Sequence, residues 1–481
     1  MGKLHQAHTS IACSFGCLVT GMLYVWPSYT LHLYTAPDTP HLSAPMTEVE
    51  SSLVGSIPAL GAMFGTLVVG WIISVFGRQK GALIIALPIV ISWLMIDLTT
   101  SSTVILIARF LSGTSGGAFL VHAPMYISEV AEESIRGFLA SAPITCYCIG
   151  VLVSYLAGWF LSYRYILWVN LVCCLMYIAL MISVTESPLY LMRQKKEKEA
   201  KMAIAHYRGG SLTSKTVLEE FSRLKQQVTP AVELIAVDSD GKLEKEETEK
   251  EKLNSETEIE VEENKRMSSF KMLFISSSSR RGFIVVCLTL TLQVMMGMIA
   301  VQVYAKDIFA KAAPSLSSHL CSVMFALILL LGSLLCAAFT DKFGRRILLI
   351  SSSISVTLCL AVMGFLLQTN ILPPWVTAVV ILVYCFAFMF GSGSVPYVLL
   401  AEVFIPEVQS LGSTLLLLWV WLLNFLLVGI FPFMVKFLGV HGSFYCFALF
   451  GVLDTIVGFT MVPETKGLTN EQIQEKLLKK R

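Results

Sequence analysis

The sequence predicts an all-α polytopic membrane protein with twelve transmembrane helices in two six-helix repeats. Three observations lead there. Apolar residues make up 55% of the 481 residues and charged residues only 14%, against roughly 25% charged in average globular chains, so the solvent for most of the chain is lipid. Apolar runs recur at the length of about 20 helical residues that a bilayer core needs. These runs fall in two groups on either side of one long polar stretch.

The first group lies near residues 9–31, 51–76, 81–100, 103–126, 138–160 and 164–184, and the second near 282–310, 318–340, 346–369, 375–401, 411–438 and 442–463. The first run is long enough to span and has no small-residue cleavage site after it, so it reads as a span and not as a secretory signal. The expected organisation is an N-terminal half over 1–184, a linker over 185–281, a C-terminal half over 282–463 and a tail over 464–481. Within the linker, the stretch from Asp238 to Arg266 contains EKEETEKEK and ETEIEVEE and almost no large apolar residues, which predicts disorder. A short charged helix is expected within the Arg193 to Tyr207 part.

Charge placement orients the chain. With an even number of spans both termini share a side, and that side collects Lys3, Arg78, Lys80, Arg136, the linker's basic ends, Lys342, Arg345, Arg346, Lys466, Lys476, Lys479, Lys480 and Arg481. The other side has only Arg164, Lys306, Lys311 and Lys436 near helix ends. The excess of basic residues predicts that both termini and the linker are cytosolic. A net charge of +2 gives no reason to expect nucleic acid as a partner. All twelve cysteines lie in or at the ends of apolar runs, without CxxC spacing or a nearby histidine cluster, so neither disulfides nor a metal is expected. No HExxH or Walker loop occurs, which argues against an enzyme and its cofactors.

The two halves repeat each other beyond their helix count. Phe76-Gly77-Arg78 follows the second span and Phe343-Gly344-Arg345-Arg346 the eighth. The fourth span ends with Pro124, Tyr126 and Glu129, followed by Arg136-Gly137; the tenth ends with Pro396, Tyr397 and Glu402, followed by Gln409 at the same offset. Glu129, Asp341 and Glu402 sit at C-terminal helix ends, where the macrodipole disfavours negative charge and a cation is needed. Arg78, Arg136, Arg345 and Arg346 in the neighbouring turns could supply it. The expectation is a ring of pairs that ties the halves together at the basic face and releases when they rock apart, the arrangement of an alternating-access carrier.

The chain resembles the sugar porter family of the major facilitator superfamily over nearly its whole length. The resemblance rests on Phe76-Gly77-Arg78, Ala108-Arg109-Phe110 with Gly113, PMYISEVAEESIRG from Pro124 to Gly137, Glu186-Ser187-Pro188, DKFGRR from Asp341 to Arg346, and Pro463-Glu464-Thr465-Lys466-Gly467. Trp26-Pro27-Ser28 and Pro406 to Val408 are similar to the facilitated trehalose transporters of insects. The resemblance implies facilitative transport of a sugar or related small solute, with the plasma membrane as the default location. It also implies departures. Ser74 stands where the family has an acid, Gln409 where it has a second arginine, and Thr185 and Leu189 where it has Pro and Arg.

By the family's register, polar pocket positions fall on Ile144, Val294, Ile299, Leu329 and Val420, while Met389 replaces a Glu of some relatives and Tyr397 a Trp. The residues left to hold a solute are Gln293, Tyr397, Trp421 and Asn424. Gln293 and Gly297 are expected on one helical face, as are Trp421 and Asn424. Proton-coupled relatives carry an Asp in the first span facing the fourth-span arginine. No Asp or Glu lies between Thr9 and Leu31 here, which implies passive transport and a structural Arg109. A carrier of a less polar solute, or a transporter-like sensor, is the alternative that the depleted pocket suggests.

Overall fold

The computed structural model describes residues 2–228, 273, 276–369, 371–468 and 470–478. The acidic Asp238 to Arg266 stretch lies outside the described residues. Six long helices open the chain: α1 (Gly2–Thr35), α2 (Glu48–Phe76), α3 (Arg78–Leu98), α4 (Ser102–Val130), α5 (Glu133–Phe160) and α6 (Tyr163–Ile182). Three short helices follow, α7 (Pro188–Arg193), α8 (Glu197–Arg208) and α9 (Lys215–Val228). The second half holds α10 (Ser277–Met295), α11 (Met298–Val303), α12 (Ala305–Ala312), α13 (Ser318–Phe343), α14 (Arg345–Thr369), α15 (Pro374–Phe390), α16 (Val395–Glu402) and α17 (Pro406–Thr460). A tail helix, α18 (Asn470–Leu478), closes the described chain.

Among the described residues, eleven stretches are long and apolar enough to cross a bilayer. The last covers 53 residues, more than twice the ~20 that one crossing needs, and Gly439 interrupts it at φ 72°, ψ 169°. α17 therefore carries two spans, which brings the total to twelve. Two other spans, read as continuous from their apolar runs, are broken. The seventh stops at Met295, turns through Gly297 at φ 85° and resumes as α11. The tenth stops at Phe390, passes through the turn 391–394 and resumes as α16 with Pro396 in its first turn. Gln293 and Gly297 thus do not share a helical face, because the helix ends between them.

Lipid gives helices no hydrophobic reason to associate, so their contacts depend on close backbone approach and interhelical hydrogen bonds. The seam between α2 and α4 shows this. A Cβ on Gly61 would stand 2.1 Å from the Phe110 carbonyl oxygen and one on Gly65 2.0 Å from that of Thr114; in return, Gly113 faces Pro58 and Gly117 faces Ala62 at 2.1 and 2.3 Å. Helix α1 is the most enclosed span, with 83% of its apolar window buried. It crosses α5 at Gly21 and Gly150, and the Tyr29 hydroxyl meets Ser154 Oγ at 2.8 Å.

The start of the linker is docked, not loose. A helix was expected within 193–207, and α8 occupies 197–208. Gln6 of α1 donates through Nε2 to the Tyr207 carbonyl at 2.7 Å and accepts from the Glu132 amide at 2.8 Å. The His5 ring stacks on His206 with centroids 4.0 Å apart. Arg208 pairs with Glu220 of α9 at 2.5 Å and donates to the Val130 carbonyl at the end of α4.

Candidate solute site and paired charge clusters

At the basic end each half carries one cluster, and the two are built alike. In the first, Gly77 takes φ 92° and its missing Cβ leaves room for the Glu186 carboxylate, which would otherwise lie 2.5 Å away. Both the conformation and the clearance require glycine. Glu186 accepts from the backbone amides of Arg78 at 2.8 Å and Gln79 at 3.1 Å, the first turn of α3. That satisfies orphan donors at a positive helix end. Burial raises the Glu186 carboxyl above its ordinary value of 4.5, against the pull of these amides and of Arg78. The Arg78 guanidinium forks onto Glu129, with Nε 2.9 Å from Oε2 and Nη2 2.6 Å from Oε1. Ser187 donates its hydroxyl to the same carboxylate.

In the second half, Gly344 takes φ 89° and a Cβ there would lie 2.6 Å from Glu464. Glu464 accepts from the amides of Arg345 at 2.9 Å and Arg346 at 3.2 Å. The Arg345 guanidinium reaches Glu402 Oε1 through Nε at 3.2 Å and Nη2 at 2.9 Å, and Thr465 Oγ1 donates to Oε2 at 2.6 Å. The acids Glu186 and Glu464 and the hydroxyls of Ser187 and Thr465 were quoted as motif residues without a role. Their signal was the Glu-Ser/Thr pair recurring after the sixth and twelfth spans.

The expected ring across the two halves is not what these bonds form. Arg78 and Glu129 belong to the first half and Arg345 and Glu402 to the second, so each pair closes within its own half. The reason is local: a tight turn between consecutive helices places its arginine under the neighbouring helix end of the same half. Arg136 donates to the Ala131 carbonyl at 3.3 Å. Arg346 caps the end of α17, donating to the carbonyls of Gly458 at 3.3 Å and Phe459 at 2.6 Å. The Asp341 side chain lies outside the described residues.

Hydrogen bonds between the halves, among the described residues, lie at the opposite end and in the middle. At that end Lys436 of α17 meets Glu48 of α2 at 2.7 Å, Ser52 Oγ donates to the Gly429 carbonyl at 2.5 Å and the Lys306 amide donates to Ser28 Oγ at 3.1 Å. Deeper in, the Tyr155 hydroxyl donates to the Gln302 carbonyl at 2.7 Å, Gln302 Nε2 to the Tyr147 hydroxyl at 2.9 Å, and Trp421 Nε1 to Thr66 Oγ1 at 3.1 Å. The molecule is closed away from its termini.

The candidate solute residues stand at that mid-depth interface. Gln293 Nε2 donates to the Gly393 carbonyl at 3.1 Å, which ties the seventh span to the break in the tenth. Its Oε1 is buried with no hydrogen-bond partner among the described residues, an open acceptor. Tyr397 lies beside it in the first turn of α16. Trp421 stacks on Tyr24 of the first half at 6.1 Å and 6°. Asn424, three residues on, is half-buried, and its side chain makes no hydrogen bond among the described residues. Tyr24, Thr66, Tyr147 and Gln302 were missed, because the family register pointed to other positions; Gln302 stands out in an apolar run. Of the apolar replacements, Val294, Leu329 and Val420 are buried in packing, Ile299 is half-buried and Ile144 is exposed.

Arg109 is fully buried and, among the described residues, pairs with no acid. Nε donates to the Val54 carbonyl and Nη1 to the Leu23 carbonyl, both at 3.0 Å, and the guanidinium lies 5.2 Å from the centre of the Trp26 ring. These partners join α4 to α1 and α2.

Residues 19–237 and again 231–477 match the family model described as "Sugar (and other) transporter". A facilitated trehalose transporter Tret1-2 homolog of Drosophila simulans is 24% identical over 480 residues, covering 98% of this chain and 91% of that protein. The facilitated trehalose transporter Tret1 of Polypedilum vanderplanki is also 24% identical, over 98% of this chain and 88% of its own length. The inward-open xylose transporter XylE from E. coli superposes with a TM-score of 0.77 at 21% identity, covering 97% of this chain and 98% of that one; this likeness establishes the fold.

Proposed function

From the premise that the chain belongs to the sugar (and other) transporter family, we propose that it moves a sugar or a related small hydroxylated solute across a membrane by facilitative alternating access. The observation that carries the reading is the division of labour between the two ends. Matched clusters brace each half at the basic end, while the half-to-half hydrogen bonds lie at the other end and in the middle. Two rigid bodies joined in that way can rock about a central site. The solute would lie among Gln293, Tyr397, Trp421 and Asn424, with Tyr24, Tyr147 and Gln302 facing them from the interface. Arg78, Glu129, Arg136, Asp341, Arg345, Arg346 and Glu402 make up the gate region at the basic end, in which the Arg78–Glu129 and Arg345–Glu402 pairs stiffen the two halves of the gate; the excess of Lys and Arg supports a cytosolic position for that end, and the family resemblance supports the plasma membrane.

The neutral partners of Arg109 support uniport over proton coupling, because among the described residues no carboxylate pairs with it to exchange a proton. A less polar solute is the second reading, favoured by the apolar Ile144 and Ile299 at positions that remain accessible. Both are tested by uptake into proteoliposomes of labelled hexoses, trehalose, polyols and less polar solutes, with and without an imposed proton gradient. Saturable sugar uptake that equilibrates and ignores the gradient is the expected result. Accumulation against a concentration gradient driven by protons would refute uniport, and the absence of transport for every member of the panel would refute the carrier reading.

A further inference from the structure

A cavity lies at the basic end, away from the interface between the halves. It measures about 580 Å³ and is lined by the start of α10 (Arg281, Ile284, Val285), the end of α17 and the segment after it (Thr460 to Glu464), Arg346 of α14, and Lys476 and Leu477 of α18. Three cations face it. Arg281 Nη1 donates to the Leu477 and Leu478 carbonyls at 3.0 and 2.9 Å, Arg346 caps α17, and Lys476 Nζ donates to the Glu464 carbonyl at 3.3 Å. Each keeps N–H groups beyond these bonds, since a guanidinium has five donors and an ammonium three. Among the described residues the one acid in the wall is Glu464, and it is occupied by the amides of Arg345, Arg346 and Lys466. The cavity therefore presents unspent positive charge.

We propose that this cavity binds the phosphate of an anionic phospholipid headgroup. Guanidinium and ammonium groups converging on one space match phosphate oxygens in charge and geometry. Basic pockets between transmembrane helices at the cytosolic level take such headgroups. The lipid, and not a free phosphate, is indicated by the wall. Ile284, two turns into α10, and Met461, just past the end of α17, are exposed apolar side chains beside the cavity, a surface that suits acyl chains. Binding there would brace α10, α14, α17 and α18 together through the same turn that Glu464 organises.

The test uses the full-length protein in a neutral detergent and does not depend on transport, so its failure is separable from failure of the carrier reading. Thermal stability is followed during titration with dioctanoyl phosphatidic acid, dioctanoyl phosphatidylcholine and inorganic phosphate. A saturable stabilisation by phosphatidic acid, with no effect of the other two at equal concentration, is expected. Replacing both Arg281 and Lys476 by Gln should weaken the apparent affinity roughly thirtyfold, from about 1 kcal/mol for each basic group near an anionic headgroup. Because Arg281 also holds α18, the exposed Lys476→Gln variant alone is measured as well, with a roughly fivefold loss expected on the same basis. Equal stabilisation by phosphatidylcholine, an equal effect of inorganic phosphate, or unchanged affinity in both variants would each overturn the proposal.

Discussion

Removal of the carboxylate at Glu129 should cost far more than its counterpart at Glu402, although the sequence presents the two as equivalents. In the first cluster both side chains are nearly inaccessible, with 5% of Arg78 and 8% of Glu129 exposed. The carboxylate uses both oxygens in a fork with the guanidinium and also accepts from Ser187. Taking the acid away leaves a buried guanidinium uncompensated, a loss of about 3–5 kcal/mol for pairs of this kind. In the second cluster 13% of Arg345 and 27% of Glu402 are exposed, and both guanidinium contacts fall on one oxygen. Water can replace part of what is lost, so the charge-assisted hydrogen bonds set the scale at about 1.5–3 kcal/mol. The assay is a pair of double-mutant cycles, Arg78→Gln with Glu129→Gln and Arg345→Gln with Glu402→Gln, read by equilibrium unfolding in detergent. Coupling in the first cycle should exceed that in the second by at least about 1 kcal/mol. Equal coupling, or the reverse order, would refute the argument from burial.

Three further outcomes are expected. Trp421→Phe keeps a ring to stack on Tyr24 but loses the hydrogen bond to Thr66, worth about 0.5–1.5 kcal/mol; crosslinking between cysteines placed at Ser52 and Gly429, which touch across the halves in this structure, should fall, and an unchanged yield counts against a cross-half role for the indole. Gly439→Ala should destabilise by about 1–3 kcal/mol, since φ 72°, ψ 169° is essentially a glycine conformation, whereas Gly70→Ala, in an exposed helix position with nothing within 4 Å, should not; melting of the two variants compares them directly. His206 is held below its ordinary value of 6.5, by burial first and then by His5 and His8, so its docking favours the neutral ring. Stability from docking is present above 6.5 and is lost as pH falls through the lower docked value; the hydrogen-exchange protection factors of α8, taken against the intrinsic rate at each pH, should fall on acidification in the native chain and respond less in His206→Gln.

The twelve crossings were legible because length and apolarity are summed over some twenty residues, and no single substitution obscures such a signal. The breaks at Gly297 and over 391–394 were not, because an apolar run is silent about backbone conformation. What shapes them lies far away in sequence: the Phe447 ring stands where a Cβ of Gly297 would be, and the Gln293 amide holds the Gly393 carbonyl. The arginines and acids of the clusters were legible by spacing, but their pairing was not. Arg78 could have met an acid of either half, and only the turn at Gly77 assigns it to Glu129. For the solute residues the register found Trp421, yet its partner Thr66 lies 355 positions away, beyond any local pattern.

The pairing within halves has a consequence for how the basic end would close. Arg78 and Arg345 are already committed to Glu129 and Glu402, and the Glu186 and Glu464 carboxylates to the helix amides beneath them. These groups rigidify each half and do not by themselves distinguish one state from the other. The groups with the least to lose on rearrangement are Arg136, bonded to the Ala131 carbonyl at 3.3 Å, and Gln409, bonded to the Ala401 carbonyl at 3.0 Å. They hold equivalent offsets after Glu129 and Glu402, but only one of them is charged. A charge-assisted hydrogen bond is roughly twice as strong as a neutral one, so a latch made from this pair would be strong on one side and weak on the other. A weak latch raises the free energy of the state closed at the basic end relative to that of the state closed at the far end. The structure, with its half-to-half hydrogen bonds at mid-depth and at the end away from the termini, is the conformation which that imbalance favours.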